Sequence, residues 1–145
     1  MKILVDTNVI IDALTSREPF REDAEQIFLL AANQIENMYI TASSATDIYY
    51  LVRKHLHNTE QAKSIMSKLF ELFHILDVTS VDCQEALSLE VNDYEDAVLS
   101  CCALRNHMDY IVTRNIIDYE KSKTSVILPK TFINMVTQDD CSGIG

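Results

Sequence analysis

The residues of this chain whose types and spacing could do chemistry are mainly acidic. They form four groups, and each group follows an apolar run or lies in the first turn of a predicted helix. The groups are Asp6-Thr7-Asn8, then Asp47, then Asp93-Tyr94-Glu95-Asp96, and finally Thr113-Arg114-Asn115 with Asp118. Crowded carboxylates raise one another's pKa, and divalent cations make such crowding tolerable. Because Mg²⁺ and Mn²⁺ are hard ions that bind carboxylate oxygen and water, the four groups together predict a site for one of these ions.

Each of these acids, taken singly, also has a structural explanation. Asp6 can end a strand as a turn residue or a helix cap, and Asp47 has the spacing of a capping box after a serine. Asp93 is a natural N-cap residue, and Glu95 suits the positive end of a helix. Asp118 fits the chemistry of a turn. The prediction of a site therefore rests on the joint placement of the four groups.

The elements that would position these groups alternate along the chain. Buried strands are predicted at residues 3–5, 38–40, 73–76, 110–112 and 125–127. Helices are predicted at residues 20–33, from Ser43 or Ser44 to about His55, from a cap at Thr59, at 83–89, at 93–106 and after Pro129. This alternation predicts an α/β fold in three layers, α/β/α, with a five-stranded parallel sheet. Such sheets place their sites beyond the carboxyl ends of the strands, near the point where the strand order reverses.

The chain is predicted to form one domain. Its 145 residues contain proline only at Pro19 and Pro129 and glycine only within the last three positions, so no linker or low-complexity segment divides it. We expect the domain to span residues 1–136. Residues 137–145 are polar, and we expect them to form a flexible tail.

Composition excludes several classes of function. The formal net charge is -10, which argues against a protein that clamps duplex nucleic acid through a basic surface. No apolar run approaches the roughly 20 residues of a membrane span, so no membrane association is expected. The four cysteines include no C-x-x-C pair, which argues against a zinc site or a disulfide framework and favours a reducing compartment. The expected location is the cytoplasm.

Taken in order along the chain, these motifs resemble the PIN domain family. The resemblance covers about residues 2–136 and is greatest to the prokaryotic branch that includes VapC-type toxins. The segments that carry it are Ile3 to Ile10, Asp93 to Ala97, Ile111 to Asn115, Asp118-Tyr119 and Val126 to Pro129.

The resemblance implies a metal-dependent endoribonuclease with a cluster of acids at its centre. Asp6 is expected to be the first acid, Asp47 the second and Asp96 the third, and the fourth position falls to Asp118 or Asn115. Asp47 stands where the family usually has glutamate, which is one methylene longer. The catalytic acids are thus Asp6, Asp47, Asp96 and Asp118, and Asp6, Asp93, Asp96 and Asp118 are the expected ligands of Mg²⁺ or Mn²⁺.

The remaining polar residues of the motifs are assigned supporting roles. Thr7, Asn8, Thr113 and Asn115 are expected to orient the ligands through hydrogen bonds. Arg17 and Arg114 are candidates for contacts to RNA phosphates. The resemblance also implies a homodimer and, for a toxin, an antitoxin protein as a partner, and the RNA substrate would be single-stranded or structured.

Two other functions compete with the nuclease. A phosphatase of the haloacid dehalogenase type requires Asp-x-Asp after the first strand, and the sequence here is Asp6-Thr7-Asn8, so the second aspartate is missing. The other alternative is a PIN-fold module that binds RNA or protein without catalysis. Asp47 in place of glutamate and the acidic balance of the chain favour that module.

Overall fold

The computed structural model describes the backbone of residues 1–144 and the side chains of residues 1–138. The strands are β1 (Lys2–Val5), β2 (Asn37–Thr41), β3 (His74–Leu76), β4 (Tyr110–Val112) and β5 (Ser125–Ile127). The helices are α1 (Thr7–Leu14), α2 (Arg21–Ala32), α3 (Ala42–Leu56), α4 (Thr59–Leu72), α5 (Ser80–Ala86), α6 (Tyr94–Arg105) and α7 (Pro129–Ile144), with a 3₁₀ helix at Ile116–Tyr119.

The five strands form one parallel sheet in the order β3-β2-β1-β4-β5. Both faces of the sheet are covered, because Ile3 and Val5 of β1 belong to one hydrophobic cluster and Leu4 belongs to another. The first cluster joins the sheet to α1–α4 and α7, and the second joins it to α6. A strand that is buried on both faces needs an unbroken run of apolar residues. Such runs predicted these strands from the sequence. The predicted α/β fold with a five-stranded parallel sheet is confirmed.

The strand order reverses between β1 and β4. The chain runs outward from β1 through β2 to β3 and then returns to the other side of β1, where Val5 pairs with Val112. The Asp6 N–H donates to the Val112 carbonyl at 2.9 Å, so Asp6 and Thr113 leave the sheet side by side. This is the crevice in which open α/β sheets bind their ligands.

Two helices near this crevice were not predicted from the sequence. α1 follows β1 directly, with Asp6 as its N-cap and with Val9, Ile10 and Ile11 buried. The 3₁₀ helix Ile116–Tyr119 follows β4. Both helices lie in segments for which the sequence predicted only polar motifs or turns.

The helix caps differ from prediction at three places. Thr41, and not a serine, caps α3 by accepting a hydrogen bond from the Ser44 N–H. Asn58, rather than Thr59, caps α4. α5 begins at Ser80 instead of near residue 83, because Thr79 and Asp82 form a capping box.

No helix among the described residues has the length and apolar character needed to cross a membrane.

The backbone of residues 137–144 continues α7. Their side chains from residue 139 onward, and the whole of residue 145, lie outside the described residues. The flexibility expected of residues 137–145 therefore stays a prediction.

Candidate active site

A cleft of about 520 Å³ opens at the carboxyl ends of β1 and β4, beside the second and third turns of α3 and the first turn of α6. Asp47 thus lies in the second turn of α3 and not in the first, as predicted, because the helix begins at Ala42. All four acidic groups of the sequence reach it. Among the residues that the structure describes, the one basic lining residue is Arg17, and the carboxylates are Asp6, Asp47, Asp93, Glu95, Asp96 and Asp118. The cleft is therefore strongly negative.

Asp6 lies at the base of the cleft and is 6% exposed. Its Oδ1 accepts from the Thr7 N–H at 2.8 Å, and its Oδ2 accepts from the Thr113 hydroxyl at 2.8 Å. The Tyr119 hydroxyl lies 3.0 Å from the same Oδ2, and the Asn8 amide nitrogen lies 3.3 Å from it. All these donors are neutral. Burial raises the pKa of Asp6, and the hydrogen bonds offset only part of that rise.

Tyr119 is a member of this site that the sequence did not indicate. Its hydroxyl lies 3.0 Å from Asp6 Oδ2 and 3.0 Å from Asp96 Oδ1, and its side chain is 1% exposed. Burial raises the pKa of Tyr119, and the neighbouring charges of Asp6 and Asp96 raise it further, so the phenol keeps its proton. That single proton can be donated to only one of the two carboxylates at a time.

Asp93 and Asp96 occupy the start of α6. Asp93 caps the helix, since its Oδ1 accepts from the Asp96 N–H at 3.0 Å, and it also lines the cleft. Asp93 therefore caps the helix and also lines the cleft, and its role as a metal ligand stays a prediction. Burial, followed by the charge of Asp6, raises the pKa of Asp96 to about 6.

Glu95 belongs to one of the four predicted acidic groups, but the sequence predicts no role for it other than at the positive end of a helix. Burial raises its pKa to about 8, and a hydrogen bond to the Asp47 carboxyl and the charge of Asp47 contribute to the rise. Adjacent residues of a helix project about 100° apart, so Glu95 and Asp96 can both border one cleft. This helical spacing was the feature of the sequence that could have placed Glu95 beside the cleft. The capping-box explanation of Asp47 is wrong, because the cap of α3 is Thr41.

The supporting polar residues connect the elements around the cleft. The Asn8 amide donates to the Thr113 hydroxyl at 3.1 Å, and Thr113 also accepts from the Asn115 N–H at 3.1 Å. The Thr7 hydroxyl donates to the Ser44 hydroxyl at 2.9 Å, which joins the start of α1 to the start of α3. These bonds tie the residues around Asp6 to one another, and their role in orienting metal ligands stays a prediction.

Arg114 is not brought to the cleft. Its guanidinium pairs with Asp12 at 2.5 and 3.2 Å and lies 3.9 Å from the centre of the Phe20 ring. It lines a separate pocket beside Pro129. Of the two arginines predicted to contact RNA, the structure places only Arg17 at the cleft.

Comparison with known proteins was made on sequence and on structure. A model described as the PIN domain matches residues 2–117. The chain belongs to the PIN domain family. None of the curated protein sequences compared with it matches. The predicted family is confirmed.

Solved structures show the same PIN fold. VapBC2 from Rickettsia felis, bound to a DNA fragment from its promoter, has 19% identity and a TM-score of 0.63, and the match covers 88% of this chain and 98% of that one. FitAcB from Neisseria gonorrhoeae has 20% identity and a TM-score of 0.65, with 88% and 98% covered. A toxin–antitoxin complex from Klebsiella pneumoniae has 20% identity and a TM-score of 0.65, with 88% and 97% covered.

The donor set of this PIN domain suits a hard divalent cation. Carboxylate and amide oxygens dominate the polar lining of the cleft, and the raised pKa values of Asp6, Glu95 and Asp96 show that their charge is uncompensated. Within the described part of the chain, however, no three acid, histidine or cysteine side chains are grouped closely enough to form a metal centre. Carboxylate side chains would have to turn toward a common point to complete one.

Proposed function

We propose that this PIN domain is a metal-dependent endoribonuclease that hydrolyses RNA phosphodiester bonds in the cytoplasm. The observation that carries the proposal is the convergence of six carboxylates in one cleft at the switch point of the sheet. So much negative charge opposite one arginine destabilises the fold unless a cation is bound there. The PIN family and the toxin–antitoxin complex among the structural neighbours support a role as the toxin of such a pair.

Mg²⁺ or Mn²⁺ would be held by Asp6 and Asp96, with Asp93 and Asp118 within the same cleft. When bound, the ion would neutralise phosphate charge and make a water more acidic. The chain's own residues prepare the site. Asp6 is fixed by hydrogen bonds from the Thr7 N–H and the Thr113 hydroxyl, so its carboxylate has little freedom to lose on binding.

Asp47 and Glu95 are assigned a shared role. Asp47 is shorter than the glutamate that the family usually has at its position, and Glu95, whose pKa Asp47 helps to raise, lines the same cleft from α6. The pair can hold one proton between two carboxyls, which suits a group that accepts a proton from an attacking water and returns it. Glu95 thereby supplies a longer carboxylate side chain next to the shorter one.

RNA would be held with little electrostatic help from the protein. Arg17 is the basic residue that lines the cleft, and Tyr50, which is 66% exposed and packs edge-to-face with Tyr49, lines the same cleft. An unpaired base can stack on such a ring, which favours single-stranded RNA or loops. The net charge of -10 predicts a small dependence of binding on salt.

Partners are proposed on the same basis. An antitoxin would bind a toxin of this fold, as in the complex from Klebsiella pneumoniae. A homodimer is proposed from the family resemblance alone. Coexpression of the chain with the product of a neighbouring gene, followed by copurification, tests the antitoxin. Sedimentation of the purified chain tests the dimer.

The nuclease is tested with purified protein, Mn²⁺ and a panel of single-stranded RNAs. Wild type should cut, and Asp6→Asn should abolish cutting while the thermal unfolding curve stays cooperative. Glu71→Gln is the control, because Glu71 is an exposed acid on α4 that does not line the cleft. Absence of cutting together with absence of Mn²⁺ binding would reject the nuclease.

A non-catalytic module that binds RNA or protein is the second candidate. It is favoured by the shorter acid at Asp47 and by the absence, within the described residues, of a completed cluster of three ligands. It predicts RNA or protein binding that survives EDTA and the Asp6→Asn substitution.

A further inference from the structure

The Tyr119 hydroxyl occupies an unusual position between two acids. It lies 3.0 Å from Asp6 Oδ2 and 3.0 Å from Asp96 Oδ1. The ring is fixed, because it is 1% exposed and packs in the cluster that contains Leu4, Leu99 and Ile111. The phenol cannot swing into solvent without opening that cluster.

One phenol proton serves two carboxylate oxygens. A divalent ion held by Asp6 and Asp96 would draw on the same two carboxylates that the phenol now contacts. The phenol and such an ion cannot use the same lone pairs. Because the ring is held by the core, the hydroxyl cannot follow a carboxylate that turns toward the ion, so the two compete for these oxygens.

We propose that Tyr119 is a positioning residue that competes with the divalent ion for Asp6 and Asp96 and thereby sets the metal affinity of the cleft. The proposal rests on the metal-dependent function proposed above. The hydroxyl stabilises the metal-free protein by sharing its proton where two negative charges approach each other. The same interaction lowers the metal affinity of the cleft, because it stabilises the metal-free protein.

The test compares Tyr119→Phe with wild type in Mn²⁺ titrations followed by electron paramagnetic resonance. Phenylalanine keeps the ring in the core and removes only the hydroxyl. We expect the Mn²⁺ dissociation constant to fall about tenfold, the effect of losing one hydrogen bond to a charged group. The metal-free melting temperature should fall, and the rise in melting temperature on adding Mn²⁺ should be larger than in wild type.

Tyr110→Phe is the matched control. Tyr110 is a half-buried tyrosine at the start of β4, away from the cleft. Its substitution should leave the Mn²⁺ dissociation constant within about twofold of wild type, as expected for a position outside any network.

A second measurement needs no folded Tyr119 variant. The chain has six tyrosines and no tryptophan, so its near-ultraviolet absorption is dominated by tyrosine. Mg²⁺ should produce a tyrosine difference spectrum in wild type, and Asp96→Asn should diminish it. A wild-type protein that binds Mg²⁺ without this spectrum would overturn the proposal.

The outcomes separate the proposal from the nuclease function. If wild type binds Mn²⁺ and cuts RNA while Tyr119→Phe binds Mn²⁺ equally or more weakly, Tyr119 does not compete and only this inference fails. If neither protein binds Mn²⁺, both fail. If only Tyr119→Phe binds, the competition is stronger than expected and the inference stands.

Discussion

Two buried aspartates in this molecule have opposite surroundings. Asp6 in the cleft is 6% exposed, and Asp82 at the start of α5 is 1% exposed. The partners of Asp82 include the guanidinium of Arg105, whose Nε lies 3.0 Å from Oδ1 and whose Nη2 lies 2.9 Å from Oδ2. Asp6 has only neutral donors, among them Thr113 and Tyr119. One carboxylate is neutralised and the other is not.

The pKa values follow this difference. Burial raises the pKa of Asp6, and neutral hydrogen bonds do not reverse the effect. Burial acts in the same direction on Asp82, but the hydrogen bonds and charge of Arg105, together with the bonds from Thr79, bring its pKa below the ordinary value. A buried carboxylate kept without a counter-ion lowers the stability of the metal-free fold, which is typical of functional sites. The contrast is the one expected between a structural acid, Asp82, and the metal ligand that we propose, Asp6.

The largest expected effect is on catalysis. Asp96→Asn should reduce RNA cleavage at least about a hundredfold, because loss of a ligand exceeds the effect usual for its supporting residues. Metal-free stability should stay the same or rise, since a negative charge leaves a crowded cleft. Asp82→Asn should do the reverse, lowering stability while cleavage persists. Cleavage rates and urea midpoints for both variants check this, and equal effects on both quantities would remove the distinction.

The second effect is on stability. Arg105→Leu leaves the buried Asp82 carboxylate without its counter-ion and should lower the free energy of unfolding by about 2–3 kcal/mol. Arg21→Ala is the control, because Arg21 pairs with Glu18 and Glu25 on the exposed surface, where ion pairs contribute little to stability. Urea unfolding measures both. A change for Arg105→Leu as small as that of the control would show that Asp82 is already solvated.

Most of the fold could be predicted because its central strands, β1 and β4, are buried on both faces and the edge strands are also short apolar runs. Ile3-Leu4-Val5 and the other strands are apolar runs in a chain of otherwise mixed polarity. α1 was missed because its eight residues, Thr7–Leu14, follow β1 without a turn. The apolar residues of α1 extend the apolar run of β1, so the sequence shows no boundary between the two elements. Short helices of this kind are recognised by their cap, and here the cap, Asp6, had been assigned to the site.

The sequence predicts the part of the site that depends on the positions of residues within single predicted elements. Asp6, Asp96 and Asp118 stand at the ends of predicted elements, where topology alone brings them together. Tyr119 lies 113 residues from Asp6, and Arg114 lies 102 residues from Asp12. No local pattern encodes which distant partner a side chain selects. The sequence therefore left Tyr119 without a role and placed Arg114 among RNA contacts, although it pairs with Asp12.

The third effect is on the pH dependence of stability. The folded pKa of Glu95 is raised from 4.5 to about 8 and that of Asp96 from 3.8 to about 6, so between these values the folded state binds more protons than the unfolded state. The free energy of unfolding should therefore fall as pH rises from about 5 to about 8. The lowered pKa of Asp82 acts in the opposite sense and only in acid, below its ordinary 3.8.

Urea midpoints measured in EDTA across this pH range check the slope. Glu95→Gln should flatten its upper part, and this difference from wild type assigns that part of the slope to Glu95. Mg²⁺ should also reduce the slope, because the ion favours ionised carboxylates. A wild-type stability that rises from pH 6 to 8 in EDTA would contradict the uncompensated charge assigned to the cleft.

The smallest effect concerns Arg17, the arginine in the cleft of Asp6, which contrasts with Arg105, the arginine bound to Asp82. Arg105 is bound to Asp82, whereas Arg17 is exposed at the mouth of the acidic cleft. Arg17→Ala should raise KM for single-stranded RNA about three- to tenfold and leave kcat nearly unchanged, because a phosphate contact positions the strand without touching the reacting bond. The slope of log affinity against log salt should fall by about 0.7, the share of one phosphate on a single strand. With Arg21→Ala as the surface control, an unchanged slope for Arg17→Ala would mean that RNA reaches the carboxylates by a path that avoids Arg17.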